Sequence, residues 1–126
     1  MKVCEGSISS RYGYRVHPVT GERNSFHNGV DIAAPIGTPV FSPVDGVITD
    51  VSESETGGKR IAVTRMGMEY IFLHLSQQNV NKGSAVQKNT VIGKVGATGR
   101  VTGPHLHFSV KAFGQYVDPS PYIEID

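Results

Sequence analysis

Glycine and proline interrupt this sequence at short intervals along its whole length. The 126 residues contain 15 glycines and seven prolines. The segments between them are short and rich in Val, Ile, Thr, Tyr and Phe, which are the residues enriched in β-strands. We therefore predict an all-β domain in which short strands are joined by turns.

Length and charge limit the possible classes of protein. The length fits a single domain over residues 1–126, which can bury roughly two thirds of its unfolded surface. Cys4 is the one cysteine, so an internal disulfide is impossible. The balance of 12 Lys and Arg against 11 Asp and Glu gives no basic excess for nucleic acid. We also find neither a run of roughly 18 apolar residues nor a signal-peptide pattern, and we expect no membrane segment in this chain.

The amino-terminal segment lacks the periodicity of either a helix or a strand. Residues 4–25 include three glycines, one proline and many polar side chains, among them His17. We predict a long ordered loop over residues 4–25 that wraps the sheet, followed by a β core over residues 26–121. A loop of this length in a compact domain is usually functional.

Two histidines stand two residues apart near the carboxyl end of the chain, in His105-Leu106-His107-Phe108. In a strand, residues i and i+2 point to the same face, so His105 and His107 should project together. Leu106 and Phe108 should then face the core. Neutral imidazole is the commonest metal-ligand side chain, so this pair predicts a metal site.

Two further potential ligands lie much earlier in the chain. His27 and Asp31 are separated by Asn28-Gly29, a strong turn signal, so we predict a turn followed by a short strand. One imidazole nitrogen and one carboxylate oxygen are both acceptable ligands for zinc. A hydrolytic zinc site needs three protein ligands, and His27 and Asp31 with either His105 or His107 would supply them.

The strand around residue 70 ends with another histidine. Strict alternation would place Tyr70, Phe72 and His74 on one face, and Ile71, Leu73 and Leu75 on the other. His74 and the remaining member of the histidine pair would be available to move protons or stabilise an oxyanion.

Short motifs recur in a characteristic order through most of the chain. They are Tyr12-Gly13 with Arg15 and His17-Pro18, Phe26-His27-Asn28-Gly29-Val30-Asp31, Ala34-Pro35, Gly37-Thr38-Pro39-Val40, His74-Leu75, Thr98-Gly99, and Thr102-Gly103-Pro104-His105-Leu106-His107-Phe108. With these motifs the sequence resembles the lysostaphin-type, or LytM-type, zinc endopeptidases, which cut the peptide part of bacterial peptidoglycan. The resemblance extends from about Ser10 to Pro121.

The resemblance implies a fold, a cofactor and a role for each histidine in the site. The implied fold is a curved antiparallel sheet with a smaller sheet against it, and a zinc groove walled by loops. The implied ligands of one Zn²⁺ are His27, Asp31 and His107, and the implied catalytic residues are His74 and His105. We interpret His17 as a residue that orients the ligand turn.

The implied activity is hydrolysis of peptide cross-links or bridges of peptidoglycan by a single catalytic domain. We expect a monomer that acts at the bacterial cell wall, in the periplasm, outside the cell or delivered by a phage. A glycine bridge and a bond next to a D-amino acid are both possible substrates, and we favour the latter.

Two other classes of protein are considered beside the enzyme. A non-catalytic cell-wall-binding or regulatory relative would share the fold, but such relatives typically lack ligands that this sequence retains. Biotinyl and lipoyl carrier domains also have glycine-punctuated strands. They need a modified lysine on a tight hairpin, and Met66-Gly67-Met68 has glycine at that place.

Overall fold

The structure of the protein, a computed structural model, describes residues 2–15 and 25–123. In these residues the chain forms twelve strands and one short 3-10 helix. The elements are, in chain order, β1 (Ser7–Ser10), β2 (Gly13–Arg15), β3 (Ser25–His27), β4 (Val30–Ala33), β5 (Pro39–Phe41), β6 (Gly46–Ser54), β7 (Gly58–Arg65), β8 (Met68–Gln78), β9 (Ala85–Val86), β10 (Val91–Val95), β11 (His105–Ala112), β12 (Gln115–Val117) and the helix Ser120–Tyr122. The predicted all-β class is confirmed.

The strands pair into one large and one small antiparallel sheet. The main path of the ten-stranded sheet runs β1, β4, β11, β8, β7, β6, β9. Beside this path, β10 pairs with both β5 and β8, and β12 pairs with β11. β2 and β3 form the separate two-stranded sheet. The prediction of a large sheet with a smaller one is therefore confirmed.

The core lies on one face of the central strands. On β11, Leu106, Phe108 and Val110 are fully buried and belong to the main apolar cluster. Phe108 packs against two aromatic rings of β8, with ring centroids 5.1 Å from Phe72 and 6.5 Å from Tyr70. The predicted inward orientation of Leu106 and Phe108 is confirmed, and it leaves the alternate residues of β11 on the opposite face.

Replacing Phe108 with alanine should lower the free energy of unfolding by about 3–5 kcal/mol, because it leaves a cavity under the strand that carries His105 and His107. Urea denaturation followed by circular dichroism measures this change. Phe113→Ala is the matched control in the turn directly after the same strand, since Phe113 is 82% exposed. We expect that control to change stability by no more than about 0.5 kcal/mol. Equal losses in the two variants would contradict this view of the core.

The described part of the amino-terminal segment has more regular secondary structure than its sequence indicates. Residues 4–25 were predicted to be a loop, but Ser7–Ser10 and Gly13–Arg15 are strands. β1 extends the edge of the large sheet by pairing with β4, and β2 pairs with β3. The polar composition of β1 fits an edge strand whose residues alternate between half-buried and exposed. His17 lies outside the described residues.

Within residues 2–15 and 25–123, no helix combines the length and the apolar character that a membrane crossing requires.

Candidate metal centre

Three potential ligand atoms converge on the face of the central strands that lies opposite the core. Asp31 Oδ1 lies 2.9 Å from His107 Nδ1 and 3.4 Å from His27 Nε2. The two imidazole nitrogens are 3.3 Å apart. Ligand atoms about 2.1 Å from a tetrahedral ion are roughly 3.4 Å from one another. The three side chains are thus spaced as a metal site requires, with one donor atom from each.

Strand register brings two of these side chains together. Asp31 on β4 is the direct antiparallel partner of His107 on β11, and such partners have neighbouring side chains on one face of a sheet. His27 ends β3, and the turn at Asn28-Gly29 returns the chain to β4. A side chain at Gly29 would come within 2.4 Å of the carbonyl oxygen of Phe108. Glycine therefore allows this turn to lie close against β11.

Hydrogen bonds on the far side of each ligand ring fix its orientation. His27 Nδ1–H donates to the carbonyl oxygen of Arg11 at 3.0 Å, and a carbonyl can only accept. His107 Nε2–H donates to Asn28 Oδ1 at 3.2 Å. These bonds leave His27 Nε2 and His107 Nδ1, the atoms nearest Asp31, unprotonated in the neutral rings and so able to bind a metal.

The carboxyl group of Asp31 is held in its ionised form. Burial alone would raise its pKa, but the protonated forms of His107 and His27 would donate hydrogen bonds to this carboxylate and add a favourable coulombic effect, and together these contacts hold that pKa well below its usual range. A carboxylate that remains ionised through the neutral range is a suitable ligand for a dication.

Two further histidines lie beside this cluster. His105 Nε2 is 3.8 Å from Asp31 Oδ1, and its Nδ1–H donates to the carbonyl oxygen of Gly103 at 3.0 Å. The His74 ring centroid lies 5.0 Å from that of His105 and 6.3 Å from that of His107. Its Nδ1–H donates to the carbonyl oxygen of Thr98 at 2.8 Å. In the neutral form, each of these two rings therefore has an unprotonated Nε2 that can accept a proton.

Burial lowers the pKa of His74 below its ordinary value. The hydrogen bond to Thr98 opposes this shift, and the positive charges that His105 and His107 can carry add to it. A histidine with a lowered pKa is neutral at pH 7 and can therefore act as a proton acceptor.

His74 reaches this face of the sheet through a β-bulge. Ile61 pairs with Phe72 and Lys59 pairs with Leu75, so three steps along β8 correspond to two steps along β7. His74 lies inside this irregularity with a φ of 67°, in the left-handed region. A bulge adds one residue to a strand and redirects the side chains beyond it.

The prediction of the sheet face on which the His74 side chain lies is therefore wrong. Strict alternation placed His74 with Tyr70 and Phe72, but these two rings belong to the core cluster while His74 lies beside His105. Leu75 takes the place in the core cluster that alternation assigned to His74. The extra residue of the bulge accounts for both changes.

The structure brings all five predicted site residues together and adds a contact that sequence reasoning missed. Asn28 was interpreted only as a turn residue, yet its side chain accepts the hydrogen bond of a ligand imidazole. Its position next to His27 was the available signal. An asparagine before glycine, however, is explained equally well by the turn alone.

Three potential donor side chains converge on one side of an antiparallel sheet with two more histidines beside them, an arrangement suited to a catalytic metal site. The chain belongs to Peptidase family M23, whose sequence model matches residues 25–119. The resemblance to lysostaphin-type and LytM-type enzymes is thereby confirmed at the level of the family.

Curated relatives contain this domain as part of longer proteins. Over 113 residues the chain is 43% identical to DD-carboxypeptidase/endopeptidase Mpg of Neisseria meningitidis serogroup B, covering 89% of this chain and 26% of that protein. Over 114 residues it is 43% identical to peptidoglycan DD-endopeptidase ShyA of Vibrio cholerae, covering 88% and 26%. The chain thus spans about a quarter of the length of these relatives.

Solved structures share the fold closely. A zinc-containing peptidase from Vibrio cholerae is 39% identical with a TM-score of 0.81, over 94% of this chain and 36% of that one. The catalytic domain of the antimicrobial peptidase lysostaphin from Staphylococcus simulans is 35% identical with a TM-score of 0.76, over 88% of each chain.

Proposed function

We propose that this chain is the catalytic domain of a zinc-dependent endopeptidase that hydrolyses the peptide cross-links of bacterial peptidoglycan. The observation that carries the proposal is the spacing of three donor atoms, 2.9–3.4 Å apart, beside two histidines with free Nε2 atoms. Relatives named as peptidoglycan DD-endopeptidases support the choice of substrate.

The ligands of a single Zn²⁺ in this proposal are His27 through Nε2, Asp31 through Oδ1 and His107 through Nδ1. Two imidazoles and one carboxylate are a known catalytic ligand set for zinc. Bound zinc supplies Lewis acidity, which makes water a nucleophile near neutral pH and polarises a carbonyl group. Arg11 and Asn28 hold the two rings in the coordinating orientation through their hydrogen bonds.

His105 and His74 handle the proton of the attacking water. Nε2 of His105 accepts this proton and returns it to the leaving amine, since its Nδ1–H stays bonded to Gly103. His74 accepts a hydrogen bond from the water through its unprotonated Nε2 and so orients the water for attack. The two rings are close enough to act on the same substrate atoms, with centroids 5.0 Å apart.

The bond cleaved is a cross-link next to a D-amino acid, as the names of the DD-endopeptidase relatives suggest. A glycine bridge is the alternative bond. The domain acts as a monomer at the cell wall, in the periplasm, outside the cell or delivered by a phage.

A non-catalytic relative that only binds the wall is the second candidate. It would need no proton-accepting histidines, whereas His74 and His105 both lie beside the ligand cluster with their Nδ1 atoms occupied by main-chain carbonyls. This arrangement favours catalysis over binding alone.

Digestion of purified cell walls tests the proposal directly. With zinc present, walls with direct D-amino-acid cross-links should lose their cross-linked dimers and gain monomers, as measured by mass spectrometry of the muropeptides. A chelator should stop the reaction and added zinc should restore it. Walls with glycine bridges serve as the parallel substrate. Cleavage of only the glycine-bridged walls would refute the proposed D-amino-acid cross-link as the substrate. Zinc binding without cleavage of either kind of wall would support the non-catalytic candidate.

A further inference from the structure

The turn that follows β10 makes three hydrogen bonds around His74, two of them through a side chain that the proposed function does not use. The carbonyl oxygen of Thr98 accepts from His74 Nδ1–H at 2.8 Å. The hydroxyl group of Thr98 donates to the carbonyl oxygen of Leu75 at 2.6 Å and accepts from the amide of Lys59 at 3.0 Å. One residue thus contacts the imidazole and, through its side chain, both strands that form the bulge.

The loop between β6 and β7 closes on the same turn. His74 N–H donates to the carbonyl oxygen of Gly57, and Arg100 N–H donates to that of Thr56, both at 2.9 Å. Gly58 has a φ of 67°, and a Cβ at this position would come within 2.4 Å of the carbonyl carbon and Oγ1 of Thr98. The first residue of β7 therefore packs against Thr98 at a distance that only glycine permits.

A residue inside a bulge needs such support. A bulged residue lacks its regular partner in the β-ladder, and a non-glycine residue at positive φ is held there by its surroundings. For His74 these surroundings are its amide bond to Gly57 and its ring bond to Thr98. Since the Thr98 hydroxyl ties that turn to Leu75, the next residue in the chain, it sets where the accepting carbonyl lies.

We propose that Thr98 is a positioning residue for His74, with its carbonyl oxygen selecting the Nδ1–H tautomer and its hydroxyl group holding that oxygen in place. The inference rests on the catalytic role proposed for His74. It accounts for the Thr98-Gly99 motif, which the metal ligands and the two catalytic histidines leave unexplained.

The tautomer is measurable in the metal-free wild-type protein without any turnover. Long-range ¹H–¹⁵N NMR at a pH well above the ordinary histidine pKa of about 6.5 distinguishes Nδ1–H from Nε2–H imidazole. The His74 signals are assigned by their loss in His74→Gln. We expect the Nδ1–H form in the wild type and in Thr98→Ser, and a mixture of tautomers in Thr98→Val. An Nε2–H form in the wild type, or an unchanged Nδ1–H form in Thr98→Val, would overturn the proposal.

Kinetics test the same role in the zinc-loaded enzyme. Thr98→Val removes the hydroxyl group at nearly constant volume and should lower kcat between roughly tenfold and a hundredfold, because small misplacements of a catalytic group are costly. KM and zinc content should stay unchanged. Thr98→Ser keeps the hydroxyl group and should retain kcat within about twofold. Thr98→Ala serves in place of valine if that variant does not fold, with the same expected loss.

Ser76→Ala is the matched control. Ser76 is also half-buried near the end of β8, and its hydroxyl group also donates to a main-chain carbonyl, that of Val95 at 2.9 Å. No hydrogen bond connects it to His74 or Thr98 in the described structure, so kcat should stay at the wild-type level. An equal loss of kcat in this control, or wild-type kcat in Thr98→Val, would refute the positioning role.

The proposed function and the positioning role of Thr98 can be refuted independently of each other. A wild-type chain that digests no cell wall refutes the proposed function, whereas the NMR result still decides whether Thr98 orients the ring. Full activity in His74→Gln would refute the catalytic premise, even if the tautomer is as expected.

Discussion

Replacing Asp31 with alanine is expected to remove zinc and abolish hydrolysis. Asp31 is the central donor, within 3.4 Å of the coordinating nitrogens of both His27 and His107. It is also the only anion in the ligand set, so its loss leaves two neutral rings to hold a dication. Zinc supplies several kcal/mol of transition-state stabilisation, so activity should fall by about a thousandfold or more. Elemental analysis should find zinc near zero instead of one ion per chain.

Asp50→Ala provides the matched control for that variant. Asp50 is also a half-buried carboxylate that accepts hydrogen bonds, at 2.7 Å from Arg60 and 3.0 Å from Ser52. It lies outside the donor cluster, so its replacement should keep both zinc and activity. Full zinc occupancy in Asp31→Ala would refute the ligand assignment, and His27→Ala repeats the test with the second donor.

Replacing His105 or His74 with alanine should leave zinc bound while the rate falls by about 10²–10⁴, the range of general acid–base catalysis. Neither ring supplies a donor atom to the proposed ligand set, so elemental analysis should give the wild-type zinc content. Turnover of purified cross-linked muropeptides measures kcat, and thermal unfolding checks that each variant is folded. A variant that keeps both zinc and wild-type turnover would remove its histidine from the mechanism.

The double variant His74→Ala/His105→Ala separates a shared task from two independent ones. Residues that act as a unit show strongly non-additive losses. If the two rings handle one proton between them, the double variant should be little slower than the slower single variant. A loss equal to the product of the single losses would mean that the rings act independently.

Alternation along one strand predicted much of the site. The period of two correctly separated the core residues Leu106 and Phe108 from His105 and His107, because β11 is regular along its pairing with β4. The choice of His107 over His105 as a ligand came from the family resemblance and stays a prediction. His107 lies directly opposite Asp31, whereas His105 lies opposite Ala33.

The two-residue alternation did not predict the orientation of His74 on β8, because nothing in the composition of that strand marks the bulge. The residues around His74 are apolar and β-forming, and none of them is a glycine. The irregularity is set by contacts with segments distant in sequence, such as the carbonyl groups of Gly57 and Thr98. Such contacts are absent from any local window of sequence.

The strand β1 was missed for a different reason. Its sequence, Ser7 to Ser10, has one apolar residue, Ile8, and so lacks the alternation on which strand prediction depends. At the edge of a sheet, main-chain pairing with β4 can define a strand whose side chains contribute little to the core. The role proposed for His17 stays a prediction.

The pairing of Asp31 with His107 couples metal affinity to folding. These donors are 76 residues apart in sequence, so the complete ligand set exists only after β4 and β11 have come into register. Slippage by a single residue would turn one of the two side chains to the opposite face. An ion that binds only the folded protein, and is present at a free concentration a thousand times its dissociation constant, would add about 4 kcal/mol to the free energy of unfolding. The metal would thus link two segments that are far apart in the sequence, whose approach costs more loop-closure entropy than a local contact does.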